Sequence, residues 1–363
     1  MSAEGGGGSQ HMERQSGPPY APTTAALGGR PTVRLDDPIC ACLMLLYVAA
    51  AVTNMTIFQI NRRRDHKFIF SAILFGFSMA RITTLVLRIV WASYPRNVNV
   101  AIAASILVQA GVLLLFIVNL IFAQRVVRSY HPRLGWSWAV GAAFQLLYFC
   151  VLAMLVMVIT ATVDSFFTLD VKTWRIDRDI QRFVGTFLAV LAFLPIPTTI
   201  LAVASPRSQR RPEKFGQGRH STKLWLLLFT STILTLGAGF RIGVSFTTPR
   251  PANNPAWYHS KACFYCFNFV IELLVVYVYT ISRFDRRFHV PNGSSAPGHY
   301  SGIRVVESGK GKDRETAMGG REIDRERDVF GDEGKSDDAT ELHKMEIDWE
   351  NRAREELDRV IVD

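Results

Sequence analysis

Charge is scarce in this 363-residue chain and unevenly placed: 20% of its residues are Asp, Glu, Lys or Arg, 49% are hydrophobic, and mean hydropathy is positive at +0.15. Acids are scarcest where the chain is most apolar. Asp285–Asp363 holds 20 of them with 14 bases, leaving 11 acids against 27 bases in residues 1–283. The net charge of +10 is therefore the sum of a basic, apolar body and an acidic, polar tail, which excludes a single soluble globular domain. Cysteine is also sparse. Cys40, Cys42, Cys150, Cys263 and Cys266 all fall in apolar stretches, which excludes a secreted disulfide scaffold. His259, Cys263 and Cys266 have a spacing that metal sites use, but no fourth ligand is identifiable, and inert thiols are the simpler reading. P-loop, GxSxG and HExxH motifs are missing, so neither enzyme activity, nor a cofactor, nor a metal is expected. No basic segment leads into a short apolar core and cleavage site, so no signal peptide is expected.

What the chain has instead is long apolar runs. Seven are long enough to cross a bilayer, where a helix needs about 20 residues: 38–60, 68–91, 99–123, 137–162, 182–204, 223–246 and 260–283. The fourth contains AAFQLLYFCVLAMLVMVITAT, without a single charge. Each run is apolar around its whole circumference, unlike a surface helix of a soluble protein. Hydrocarbon cannot satisfy an open strand edge, so the expected fold is all-α, a polytopic membrane bundle of seven transmembrane helices. The joints set the orientation. Arg62, Arg63, Arg64 and Lys67 follow the first run, Arg125, Arg128 and Arg133 the third, and Arg207, Arg210, Arg211, Lys214 and Arg219 the fifth. Arg286 and Arg287 follow the seventh, whereas the second and sixth joints hold only Arg96 and Arg250. The fourth joint carries Lys172, Arg175 and Arg178, but interleaved with four aspartates. The excess of bases on one side puts the C-terminus in the cytosol and the N-terminus outside. The basic pI of 9.6 is then mainly a topology signal, and no nucleic-acid partner is expected.

The flanks read differently. Residues 1–37, rich in Gly, Pro, Ser and Thr, are expected to be a flexible extracytosolic segment before the 38–283 membrane domain. Residues 284–363 read as an acidic, largely disordered cytosolic tail. Within it, 340–362 spaces Leu342, Met345, Trp349, Ala353, Leu357 and Val360 as one face of a short helix that could bind a cytosolic protein partner.

Ionisable residues inside spans are costly and become site candidates by default. Glu272 is the one acid within an apolar run, near the middle of the seventh. Arg81 lies at nearly the same depth in the second, while Arg88 and Arg241 lie nearer the outer side. Matching depth makes Arg81 the best partner for Glu272, with Arg241 second. Tyr265, Asn268, Glu272 and Tyr279 follow helical spacing and would form one polar stripe, which Gln109, Asn119 and Gln145 could extend. Pro195 and Pro197 must break hydrogen bonds and kink the fifth helix, leaving free carbonyls that could line a cavity. Gly237 and Gly239 would let a neighbouring helix approach closely.

Several segments together resemble an uncharacterised family of fungal seven-span membrane proteins, a domain of unknown function. They are RIVWASYPRNVNVAIAASILVQAG, FLPIPTTI, LTLGAGFRIG and PRPANNPAWYHSKACFYCFNFVIELLVVYVYTISRFDRRFHVPNGS. That resemblance covers about Asp36–Ser294 and implies the same topology without an activity. A weaker likeness is to the fungal lipid-translocating exporter family. Phe240-Arg241 and Phe264-Tyr265-Cys266-Phe267 match its outline, but Asn268 stands where that family has an acid. Receptor signatures are missing: the third run ends IFAQRVVRSY, and the seventh has no Asn-Pro-x-x-Tyr motif.

The sequence leaves three functions open. One is handling or translocation of a lipid or amphipathic small molecule through a polar site at the membrane midplane. Another is a seven-span sensor using the tail as a docking arm. The third is a structural scaffold with Arg81–Glu272 as a packing ion pair. Membrane lipids are the expected partners, and the plasma membrane or an endomembrane the expected location.

Overall fold

A computed structural model of the chain describes residues 17–20, 24–63, 68–206, 212–291, 294, 296–297 and 299–301. These belong to one compact unit ending at Ser301. The 340–362 helix and the bases Arg64, Lys67, Arg207, Arg210 and Arg211 lie outside the described residues. Among the described residues the protein is helical, with one isolated β-bridge between Thr24 and Pro251 and no strand.

Seven helices among the described residues are long and apolar enough to cross a membrane: Val33–Arg63, Ile69–Ser93, Val98–Tyr130, Trp138–Phe167, Val171–Ala204, His220–Phe246 and Lys261–Ile281. Each overlaps an expected run, and most extend beyond it at one end or both, because backbone hydrogen bonding does not stop where hydropathy falls; the seventh, Lys261–Ile281, is instead shorter than its run. The largest difference is the fifth, which starts at Val171 rather than Arg182. There Asp170 accepts the Thr173 N–H at 3.1 Å, capping the helix well ahead of its apolar part. Ser137 and Ser260 cap the fourth and seventh in the same way.

The third and seventh spans are the most buried and the fourth the least. The first and second pack most extensively on each other, and the sixth packs against the fifth and seventh. Large apolar side chains face outward along the whole bundle, among them Leu45, Phe149, Leu152, Leu201, Trp225 and Leu236. A surface of this kind is stable only against hydrocarbon, so the fold is that of an integral membrane protein. Hydroxyls inside the spans follow the same logic. Thr53, Thr56, Ser78, Thr84, Ser105 and Thr186 each donate to the carbonyl one turn back, satisfying the group without water.

Three spans are interrupted. The fifth breaks at Leu194, where Pro195 and Pro197 lack the N–H groups the helix requires, and Thr198 Oγ1 donates to the Leu194 and Pro195 carbonyls. The third breaks between Gly111 and Leu113. In the seventh, Cys266–Val270 forms a π-helical turn between α-helical Lys261–Tyr265 and Ile271–Ile281.

Both ends of the bundle are more ordered than composition implies. Ala25 N–H donates to the Arg250 carbonyl at 2.8 Å, and Gly28 N–H to that of His259 at 3.0 Å, which ties part of the expected flexible segment to the sixth joint. Gly28 has φ +80°, and the Phe264 ring occupies the space a Cβ would need, so only glycine fits there. At the opposite end the chain turns back after the seventh span through Arg283 and a short helix, Phe284–Arg287. Phe284, Phe288 and Tyr300 are buried, and Phe288 stacks on Phe122 with ring centroids 4.2 Å apart. The polar tail therefore begins later than Phe284: aromatic area outweighs the local Gly and Ser content.

Candidate functional site

The centre of the bundle holds Arg81, Glu272 and Arg241. Arg81 and Glu272 form a two-pronged ion pair, Nε to Oε2 at 2.6 Å and Nη2 to Oε1 at 2.8 Å, with side chains 0% and 1% exposed. Matching their depths from the sequence picks out this pair. Nη1 of Arg81 donates to the carbonyls of Leu107 at 3.1 Å and Val108 at 3.0 Å. The Val108 carbonyl is released by the break in the third span, where the Val112 N–H turns to Ala110 instead of Val108. Gly111 makes room for the guanidinium, since a Cβ there would lie 2.9 Å from Arg81 Cζ. Every nitrogen of Arg81 is thus bonded, and Phe77 and Phe269 flank its Cζ at 5.4 and 5.5 Å.

Arg241 reaches the same carboxylate from the sixth span. Its Nη1 lies 3.3 Å from both Glu272 Oε1 and Asn268 Oδ1. The long side chain covers the difference in depth between the two helices. Asn268 is held by its own amide, which donates to the Phe264 carbonyl at 2.9 Å. Two guanidiniums thus share one carboxylate, leaving a surplus positive charge. Arg241 Nε and Nη2 have no partner among the described residues, and 21% of the side chain is exposed.

The expected polar stripe on the seventh span does not form as one surface. The π turn adds a residue between Tyr265 and Glu272, which rotates one against the other by about 100°. Tyr265 and Arg88 consequently belong to a second cluster, around Asp36. Arg88 Nη2 meets Asp36 Oδ1 at 3.1 Å and the Gly28 carbonyl at 3.0 Å, and Tyr265 OH donates to Asp36 Oδ1 at 2.7 Å. Lys261 Nζ bonds Asp36 Oδ2, and Cys40 Sγ lies 3.2 Å from Tyr265 OH. Arg88 is therefore not a partner of Glu272. Asp36 and Lys261, which sequence reasoning missed, complete this cluster. Asp36 lies just before the first apolar run, yet the helix starts at Val33 and places it in the first turn. Its signal was an acid immediately preceding a span.

Tyr279 joins a third cluster, bonding Asn119, while Thr230 Oγ1 lies 2.8 Å from the Tyr279 hydroxyl and Ser231 accepts from Asn119 at 3.0 Å. Gln109 turns to Thr162 instead, and Gln145 is exposed, so neither extends the central network. The π turn also moves backbone. Tyr47 OH donates to the Phe269 carbonyl at 2.8 Å, and a Cβ on Gly237 would lie 3.2 Å from the Phe267 carbonyl. Gly237 therefore allows the close approach expected of it, whereas Gly239 faces open space. Cys42 and Cys266 are exposed on the bundle rather than buried. Among the described residues no group of three or more His, Cys, Asp or Glu side chains is placed to hold a metal.

Residues 208–289 match the model of a family described as a protein of unknown function (DUF3112). That stretch contains the sixth and seventh spans, and with them Arg241, Tyr265, Asn268 and Glu272. No curated protein and no solved structure matches the chain.

Proposed function

We infer that the protein handles a lipid or amphipathic small molecule bearing an acidic group, received by Arg241 at mid-membrane depth. The observation that supports this is the surplus cation. Arg81 is saturated and neutralised by Glu272, but Arg241 has only a share of that carboxylate, two unbonded nitrogens and an exposed edge. A cation in hydrocarbon costs at least about 2.5–3.5 kcal/mol, and an incoming carboxylate or phosphate would relieve it. The likeness of Phe240-Arg241 to the lipid-translocating exporters points the same way. In this reading Arg81–Glu272 is the fixed frame that holds Glu272 and orients Arg241. The excess of bases in the alternate joints favours an outside N-terminus, in the plasma membrane or an endomembrane.

The test is reconstitution in phosphatidylcholine vesicles with headgroup-labelled phosphatidic acid. Wild type should bind the label and speed its exchange between leaflets. Arg241→Gln should weaken both roughly tenfold or more, the value of one charge-assisted hydrogen bond, without lowering the thermal midpoint. Binding without exchange would favour a sensor over a translocator. A wild type that does neither, or an Arg241→Gln variant that does both normally, would leave the network as a packing lock.

A further inference from the structure

The outer surface between the first and second spans carries a groove that the central network does not use. It is a cavity of about 290 Å³, open along its side, with Val48, Val52, Met55 and Gln59 on one wall and Phe75 and Met79 on the other. On the first helix these positions recur every three or four residues and so form a continuous stripe along the axis. Val48 to Gln59 covers about 16 Å at 1.5 Å per residue, close to half of a roughly 30 Å hydrocarbon core and hence to the depth of one leaflet. Both walls belong to helices apolar enough to span a membrane, so what faces the groove is lipid. Two methionines give it adaptable sides.

The groove is polar at one end only. Gln59 is exposed and has no hydrogen bond among the described residues. Arg62 and Arg63 follow at three and four residues, the same side of the helix one turn further on, in its last turn. Both are exposed and carry no ion pair among the described residues. The nearby acid Asp285 is fully buried and engaged with Asn61 and Arg283, so it does not neutralise them. An apolar trough of one-leaflet depth, capped by an amide and two guanidiniums that have no ion pair among the described residues, matches the outline of one membrane component.

We propose that this groove is a binding site for an acidic phosphoglyceride, one acyl chain lying against Val52, Met55 and Met79 and the phosphate held by Arg62 and Arg63. The site is separate from Arg241 and stands whether or not the central network binds a ligand. Gln59 donates to the ester region between chain and phosphate, which fixes the depth at which the lipid sits. A sterol would fill the trough but leave both arginines unused; a zwitterionic lipid brings its own cation beside them.

The full-length protein in phosphatidylcholine nanodiscs, doped with phosphatidylglycerol carrying a diazirine in one acyl chain, provides the test. Photolysis and peptide mapping should place label on the segments containing Met55 and Met79. Unlabelled phosphatidylglycerol should compete, and unlabelled phosphatidylcholine should not. Arg62→Gln with Arg63→Gln should cut labelling several-fold, and Val52→Trp with Met79→Trp should do so by filling the trough. Arg241→Gln should leave labelling unchanged. All these positions are at the surface or partly exposed, and an unaltered thermal midpoint verifies that each variant is folded. Label spread evenly over the outward faces of all spans would overturn the proposal. So would equal labelling by a phosphatidylcholine probe that ignores the arginine changes, or labelling by a sterol probe alone.

Discussion

Arg81 occupies a position where charge alone does not describe the requirement. Two of its nitrogens serve Glu272 and the third serves the Leu107 and Val108 carbonyls. Removing one member of a buried pair typically costs about 3–5 kcal/mol, because the other charge is left without a partner. Arg81→Ala and Glu272→Ala should both lower the unfolding midpoint in detergent by that order. The exchange Arg81→Glu with Glu272→Arg should fail to restore it, since a carboxylate at 81 would face two carbonyl oxygens. Arg81→Met with Glu272→Leu should recover more stability than the exchange; full recovery by the exchange would show that charge pairing is all the site needs. Arg81 and Glu272 were legible in the sequence because hydrocarbon makes any charge conspicuous and depth limits its partners. The backbone acceptors were not, because a sequence displays side chains and hides which carbonyls a broken helix releases. Asp36 was missed for a related reason: it lies just outside an apolar run, and hydropathy does not reveal that its helix has already begun.

The helices differ in how openly their irregularities are written. Pro195 and Pro197 announce the break in the fifth span, since proline cannot donate. The break at Gly111 has only a glycine to mark it, and glycine is common in membrane helices. Its role is spatial. Gly111→Ala would put a methyl 2.9 Å from Arg81 Cζ, in a bundle where no partner of the guanidinium can give way without losing a bond. The expected cost is about 1–3 kcal/mol, as for other overpacked interiors. Measuring that midpoint also in the Arg81→Met, Glu272→Leu background checks the cause: the alanine should cost much less there, and an unchanged penalty would place the strain elsewhere. The π turn left no sequence signal at all. Cys266–Val270 reads as an apolar segment with one polar residue, Asn268, and nothing in its composition marks an extra residue in the turn.

For the whole bundle, seven spans and their approximate limits follow from hydropathy, because covering the backbone in hydrocarbon is a constraint every span must meet. The closure of its two ends does not, because it depends on where a few aromatic rings find room. Phe288 and Tyr300 are such rings, beyond the last span yet buried against Phe122, Phe215 and Trp136. A chain ended at Arg287 loses both, and each large aromatic lost from a core is worth about 3–5 kcal/mol. It should unfold at a distinctly lower temperature than a chain ended at Ser301; equal midpoints would show that the end is closed without them. The seventh span connects this end of the molecule to the other, and its π turn sets a limit on how the chain can change length. Deleting any one residue from 266 to 270 would restore a continuous α-helix and turn the segment holding Tyr265 by about 100° against the segment holding Glu272. The Asp36 and Arg81 clusters could then not both be satisfied. Substitutions in these five residues alter one contact at a time, whereas a single-codon deletion would set the two halves of the molecule against each other.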